Sequence, residues 1–294
     1  MSTWFNKFKS LFQSKQRTIN TLQTFREFGK TSRRWWGSYE IEAGQSRFWR
    51  VGNIVICVDR FSNEWYIASS QVDSLEDLPE ADKDSAATKL NIPHDKLNFK
   101  TFTFRTQAQL SLTPVLPDRP LASTLERPLY IPGDEEILLY VSSPVWVRVE
   151  TGNANIILDE IPTFILSDTW LSTNTIEGQL CYAGYTHCSA HLKTLPSGPD
   201  RIISPLFIRN YSKKLLLLTK LTVPLPYLSV YSDADNFLWT EQLYLYREGD
   251  HHPEVEVAKG PPKALAEITC LSPARKELIA TSGLKKFFNS LVWN

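Results

Sequence analysis

The sequence predicts a mainly β protein: tandem β-sandwich-like units with amphipathic helices at both termini. Three observations carry this reading. Residues 117–149 align without a gap on residues 199–231, at an offset of 82. From Trp35 onward, short apolar and β-branched runs alternate with Pro, Gly and Asn, the pattern of half-buried strands and their turns. Apolar and aromatic residues stand at helical spacing at both ends, from Trp4 to Phe12 and from Leu284 to Val292.

The repeat sets the architecture. Pro117-Asp118-Arg119 falls on Pro199-Asp200-Arg201, Arg127 on Arg209, Leu139 on Leu221, Val141 on Val223 and Pro144 on Pro226. Upstream, Ala108 and Leu110 fall on Ala190 and Leu192. A solenoid needs about three units, so two copies point to paired sandwich-like units instead. One feature disagrees. Val145, Val147 and Val149 share a strand face, whereas Leu228 and Val230 of the second copy take the opposite phase. Either both faces are covered there, or the alignment slips by one and turns every side chain over.

In chain order, residues 1–34 read as a basic amphipathic helical segment. Trp4, Phe5, Phe8, Leu11 and Phe12 gather on one side of a 3.6-residue helix, with Lys7 and Lys9 flanking them. Residues 35–96 read as a β meander with turns at Gly52-Asn53 and Ser62-Asn63, followed by an acidic linker. Residues 97–175 form the first β unit. In it Pro132-Gly133-Asp134 reads as a turn in which Pro presets φ and Gly supplies positive φ. Residues 176–257 form the second unit, with strands at 215–218, 227–231 and 242–246. Residues 258–294 read as helices. Pro261-Pro262 opens one containing Ala264, Leu265 and Ile268, and Ser272-Pro273 opens another as N-cap and first-turn proline. Beyond Gly283, Leu284, Phe287, Phe288, Leu291 and Val292 repeat the apolar spacing beside Lys285 and Lys286.

Composition bounds the function. The chain has 294 residues, 42% hydrophobic and 22% charged, which is ordinary for a globular protein. The zero net charge conceals a gradient. Residues 1–36 hold eight Lys/Arg against Glu27, while residues 73–84 hold six acids against Lys83. No run approaches the ~18 apolar residues of a membrane span. No apolar stretch of the signal-peptide kind follows the start, although its basic, acid-poor composition is also that of a transit peptide. The four dispersed cysteines, 57, 181, 188 and 270, read as reduced thiols. A cytoplasmic location is expected, peripheral to the inner face of the membrane if the N-terminal stripe docks there.

Little chemistry is nominated. The sequence contains no phosphate-cradling Gly loop, nucleophile elbow or zinc-protease helix. No cofactor is expected. Cys181, His187, Cys188 and His191 are the one ligand-type cluster, but their spacing departs from zinc sites, so His187, Cys188 and His191 are weak metal candidates. On a strand, His187 and His191 would share a face opposite Cys188. Asp118, Arg119, Asp200 and Arg201 are candidates for an inter-unit cleft, against the alternative that such pairs close turns or make structural ion pairs. A nucleic-acid partner is not expected, since only the N-terminal segment offers a basic stripe.

The β run resembles the domain of unknown function 432 family of archaeal and bacterial proteins. The resemblance rests on Arg127-Pro128-Leu129-Tyr130-Ile131-Pro132-Gly133, Ser143-Pro144-Val145-Trp146-Val147-Arg148-Val149, Gly37-Ser38-Tyr39 and Glu64-Trp65. It spans roughly residues 35–250 and leaves out the helical termini. It carries no catalytic residues. It implies an association with small mechanosensitive channels, and so a cytosolic module acting at a membrane protein. The expected function is therefore a non-enzymatic binding or regulatory protein whose docking residues are Trp4, Phe5, Phe8, Leu11, Phe12, Phe287 and Phe288. The alternative is an enzyme or small-ligand binder using the inter-unit cleft.

Overall fold

The computed structural model describes residues 34–71, 99–103, 109–151, 156–170, 180–184, 187–249, 254–265 and 267–277. These residues are mainly β. The first ten strands are β1 (Gly37–Glu40), β2 (Ser46–Val51), β3 (Ile54–Arg60), β4 (Glu64–Gln71), β5 (Lys100–Thr103), β6 (Gln109–Val115), β7 (Leu121–Ile131), β8 (Glu136–Pro144), β9 (Trp146–Thr151) and β10 (Ile156–Pro162). The rest are β11 (Ser167–Trp170), β12 (Leu180–Gly184), β13 (His187–Ser189), β14 (Arg201–Asn210), β15 (Leu216–Val223), β16 (Val230–Ser232), β17 (Leu238–Trp239), β18 (Leu243–Arg247), β19 (Glu254–Val257) and β20 (Thr269–Ser272).

They form four sheets. β2-β3-β4-β5 is an antiparallel meander with its first turn at Gly52, and its last strand, β5, comes from beyond residue 96, where the first β unit was expected to begin. β1 leaves that meander and pairs with β6, giving the sheet β1-β6-β9-β10. The other two sheets are β11-β12-β7-β15 and the large β13-β8-β14-β17-β16-β20, to which β18 and β19 attach alongside β14.

The two expected units do not stand in tandem. β8 of the first pairs antiparallel with β14 of the second, and β7 pairs antiparallel with β15. The strand-forming apolar runs fall on both sides of residue 175, so a boundary there would cut two sheets. Leu228 is buried and β16 is buried at all three of its positions, so both faces are covered there.

The central pair explains why the sequence runs apolar at 137–141 and, apart from the buried Ser204, at 202–208. Leu139 and Val141, with Ile202, Leu206 and Ile208, enter the main core. Their neighbours Leu138 and Tyr140, with Ile203 and Phe207, enter a second core on the opposite face. Successive strand residues point to opposite faces, so a sheet covered on both sides loses its polar alternation. Pro205 sits inside β14 despite lacking an N–H. It falls between the residues matched to β17 (202–203) and those matched to β18 (206–210), where that side of the ladder is interrupted.

The C-terminal expectations are corrected within the described residues. Residues 261–265 and 267–268 form turns, not a helix; Glu267 has φ 54°, and Ala264, Leu265 and Ile268 pack on the second core. Ser272 is no N-cap. It ends β20 opposite Val230, and its Oγ donates to the Pro114 carbonyl at 2.8 Å. In the β7–β8 turn Asp134, not Gly133, takes the positive φ of 60°. Gly133 is required for a different reason: a Cβ there would lie 2.7 Å from the Lys213 backbone. The N-terminal stripe, Phe287 and Phe288 lie outside the described residues. Among the described residues no helix is long and apolar enough to cross a membrane.

Candidate functional site

The two Asp-Arg pairs occupy different settings. Asp118 and Arg119 lie in the loop between β6 and β7. Tyr182 of β12 donates its hydroxyl to Asp118 Oδ1 at 2.6 Å, and the Arg119 guanidinium stands 5.3 Å from the Tyr182 ring centre. Arg119 Nη1 donates to Asp168 Oδ1 of β11 at 2.7 Å. Burial, and then the bond to Asp118, push the Tyr182 phenol well above its ordinary range. The group is partly exposed, and such surface ion pairs contribute little to stability.

Asp200 and Arg201 instead fasten the loop before β14. Arg201 donates from Nε to Ser142 Oγ at 3.0 Å and from Nη2 to the Ser142 carbonyl at 2.8 Å. Burial pulls its guanidinium below the usual value, with Asp200 acting in the opposite direction. The Asp200 carbonyl accepts from Val145 N at 3.0 Å, while its carboxylate packs where a Cβ on Gly52 would stand. Trp35 Nε1 holds the same loop through the Pro199 carbonyl at 2.7 Å. The two pairs thus have separate partners. The first joins β11 and β12 to a loop, and the second joins the N-terminal meander to β8 and β14.

The Cys/His cluster is spread out. β13 ends at Ser189, so His191 is off the strand and precedes a short 3-10 turn at Leu192–Thr194. His187 is paired with Ser142, and Cys188 packs against the main core. Burial pushes the Cys188 thiol up to about 12 and the Cys181 thiol up to about 11. Cys57 is raised further by burial and by Asp59. Thiols so raised stay protonated at neutral pH and are poor nucleophiles or metal ligands. Among the described residues no group of three His, Cys, Asp or Glu is placed to hold a metal ion.

Two groups escape the sequence reading. An aromatic and cationic stack continues from Arg119 and Tyr182 to Trp146, 6.1 Å from Tyr182, and to Arg275, 5.7 Å from the Trp146 ring. Trp146 lies in a motif singled out for its strand pattern, but nothing in the spacing couples it to Tyr182 or Arg275. The second group is a set of buried carboxylates. Asp233 accepts from the backbone of Asp235 and Phe237 and from Trp239 Nε1, all within 3.0 Å. Burial pushes its carboxyl up, and these donors pull it back. Glu241 accepts from Ser229 N at 2.8 Å and Tyr231 Oη at 3.0 Å. The polar run Asp233-Ala234-Asp235-Asn236 signals a turn in the sequence; nothing signals Glu241. Both acids serve local backbone and ring donors, which is a structural use.

The exposed surface offers apolar positions instead. Ile156 and Ile157 on β10, with Phe164 and Ile165 in the loop after it, are open to solvent, Ile165 at 71% exposure. Tyr130, Leu215 and Leu217 form another exposed group where β7 meets the start of β15.

No curated protein and no solved structure matches the chain. The family described as protein of unknown function DUF432 matches residues 35–292, so the match begins where the resemblance did and extends past 250 through the C-terminal segment. The chain belongs to the DUF432 family, whose function is unknown.

Proposed function

We propose that this chain is a non-enzymatic binding protein of the cytoplasm that docks at the inner face of a membrane through residues 1–34. One observation carries the reading: three of the ionisable groups nominated for a cleft are engaged in local structure. Arg201 is bonded to Ser142, Asp118 to Tyr182 and Arg119 to Asp168. The 1–34 segment supplies what docking needs, with Trp4, Phe5, Phe8, Leu11 and Phe12 as apolar anchors among basic residues. It also precedes the family match. The proposed partner is a membrane protein of the small mechanosensitive channel kind that the family resemblance implies, or the lipid surface itself. In the same reading, residues 117–149 and 199–231 are copies of one β unit, each copy's first strand paired with the other's second.

The test is sedimentation with anionic liposomes of the full chain and of a version lacking residues 1–30. Sedimentation of the full chain alone, weakened by salt, identifies a lipid anchor, because each basic residue near such a surface contributes about 1 kcal/mol that salt screens. If neither sediments, the stripe meets a protein, and pull-downs with the membrane fraction follow. Serine at Trp4, Phe5, Phe8 and Phe12 should abolish docking and leave the thermal transition in place. Loss of that transition assigns the stripe to the core and removes the proposal.

A further inference from the structure

The corner where β7 meets β15 carries apolar side chains on a rigid support. Leu217 stands opposite Tyr130 in the ladder, so both point to one face, while their neighbours Ile131, Leu216 and Leu218 enter the main core. The outer face is open. Tyr130 is 63% exposed, Leu215 54% and Leu217 37%, and Pro128 and Pro132 are exposed on either side of Tyr130. Singly exposed apolar residues are ordinary, but a contiguous group of them marks a contact surface.

The support is Asn210, which is fully buried beneath the corner. Its Nδ2 donates to the carbonyls of Ile131 and Pro132, each at 3.1 Å, and to the Lys214 carbonyl at 2.9 Å. Its Oδ1 accepts from Ser212 N at 3.2 Å. Arg247 Nη1 adds a bond to the Leu215 carbonyl at 3.2 Å. One buried amide thus joins the two segments that carry the exposed residues and fixes their spacing. A surface ordered before contact spares the entropy of ordering it on binding.

Charge selects the partner. Residues 213–220 hold Lys213, Lys214 and Lys220, all exposed, and no acid. The facing turn supplies Asp134, which pairs with Lys213, and the exposed Glu135. Arg209 and Glu136 beside them pair with each other. Three lysines therefore stand against two acids around an apolar centre. Tyrosine and leucine set among lysines suit an anionic leaflet: the apolar parts enter the acyl boundary, and the ammonium groups stay at the headgroups. A second copy fits less well. A stable dimer buries about 1,200–2,000 Å², more than three part-exposed side chains and two prolines supply. A two-fold contact through this one patch also brings the lysines of both copies together.

We infer that the β7–β15 corner is a lipid contact, with Tyr130, Leu215 and Leu217 entering an anionic leaflet and Lys213, Lys214 and Lys220 at its headgroups. The contact belongs to the body and goes beyond the docking proposed for residues 1–34.

The experiment uses the full chain and phosphatidylcholine vesicles containing phosphatidylserine. Leu215→Asp with Leu217→Asp should lower partition into the vesicles at least about tenfold, with the thermal transition retained. Bimane attached through Leu217→Cys, in a Cys270→Ser background, reads the corner directly. Doxyl-labelled lipid should quench it, and added salt should weaken the quenching. Quenching should persist at saturating vesicles in a chain with serine at Trp4, Phe5, Phe8 and Phe12, so the corner and the N-terminal stripe fail separately. An unquenched bimane on a chain that sediments overturns the inference, as does quenching that vanishes with the serine changes. Unchanged partition of the Asp variant, or a full chain that does not sediment, overturns it too. A bimane blue shift that follows protein concentration without vesicles assigns the corner to a second copy instead.

Discussion

Gly52→Ala tests whether Asp200 is a fixed part of the framework. Gly52 has φ +60°, and a Cβ there would stand 2.4 Å from Asp200 Cγ, 2.5 Å from Oδ2 and 2.7 Å from Cβ. The left-handed backbone costs an L-residue roughly 1–2 kcal/mol. Rotating the carboxylate away relieves two of the overlaps but leaves the one with Cβ. Either the meander turn or the 196–200 loop must then shift. That loop is held by Trp35 at Pro199, by Ser142 at Pro196 and by Val145 at Asp200. Overpacking of this kind costs about 1–3 kcal/mol, so the total is about 2–5 kcal/mol. Asp200→Gly deletes the three overlapping atoms and leaves only the backbone term. Urea unfolding of the wild type, both single variants and the double variant, followed by tryptophan fluorescence, closes the cycle. The double variant should be about 1–3 kcal/mol more stable than the sum of the singles predicts. Additivity within about 0.5 kcal/mol would refute the packing of Asp200 on Gly52 and return it to the cleft reading.

Two further outcomes follow from the buried groups. Asp233→Asn turns an amide N–H₂ toward either the Trp239 indole N–H or the two backbone donors, and should cost about 1–3 kcal/mol in chemical denaturation. The same change should cost at least about 1 kcal/mol less in a Trp239→Phe background; equal costs would show that the indole bond is not the reason. The Cys188 thiol is raised by burial from 9.0 to about 12. Below pH 9 it is protonated folded and unfolded, so its contribution is complete there and is lost as pH rises toward 12. Cys188→Ala should flatten the fall in stability between pH 9 and 12, measured by urea unfolding at each pH, and an unchanged slope removes that role.

The β class was legible because strand periodicity and turn chemistry are local. The Gly52-Asn53 turn lies between β2 and β3, and β4 opens after Ser62-Asn63, as their residues predict. The partners of β7 and β8 were not legible. An offset that aligns two stretches of sequence says which strands look alike, not which of them pair. Ser272-Pro273 failed for a related reason. The local signal for a helix start is sound, but Ser272 has a carbonyl partner 158 residues away, and long-range partners override local propensity. The candidate site divides in the same way. Asp118 and Asp200 were found by their repeated triplet, while Tyr182, Asp168 and Ser142 were invisible because each reaches its Asp or Arg only through the fold.

The cross-pairing also bears on where function resides. β8 and β14 lie on either side of residue 175 in the chain and bury both faces, and β7 and β15 pair across it again in another sheet. Neither half of the chain keeps these sheets without the other. Loop closure across some 80 residues is paid for only when both ladders form, which couples the body into a single long-range unit. Arg201 on Ser142 and Asp200 against Gly52 extend that coupling to the N-terminal meander. A group so placed cannot be retuned for a ligand without disturbing several sheets at once. Exposed apolar positions such as Ile165 and Leu215 are not tied in this way. In the binding function proposed above, recognition rests on such positions and on residues 1–34, with the doubly covered sheets as the frame.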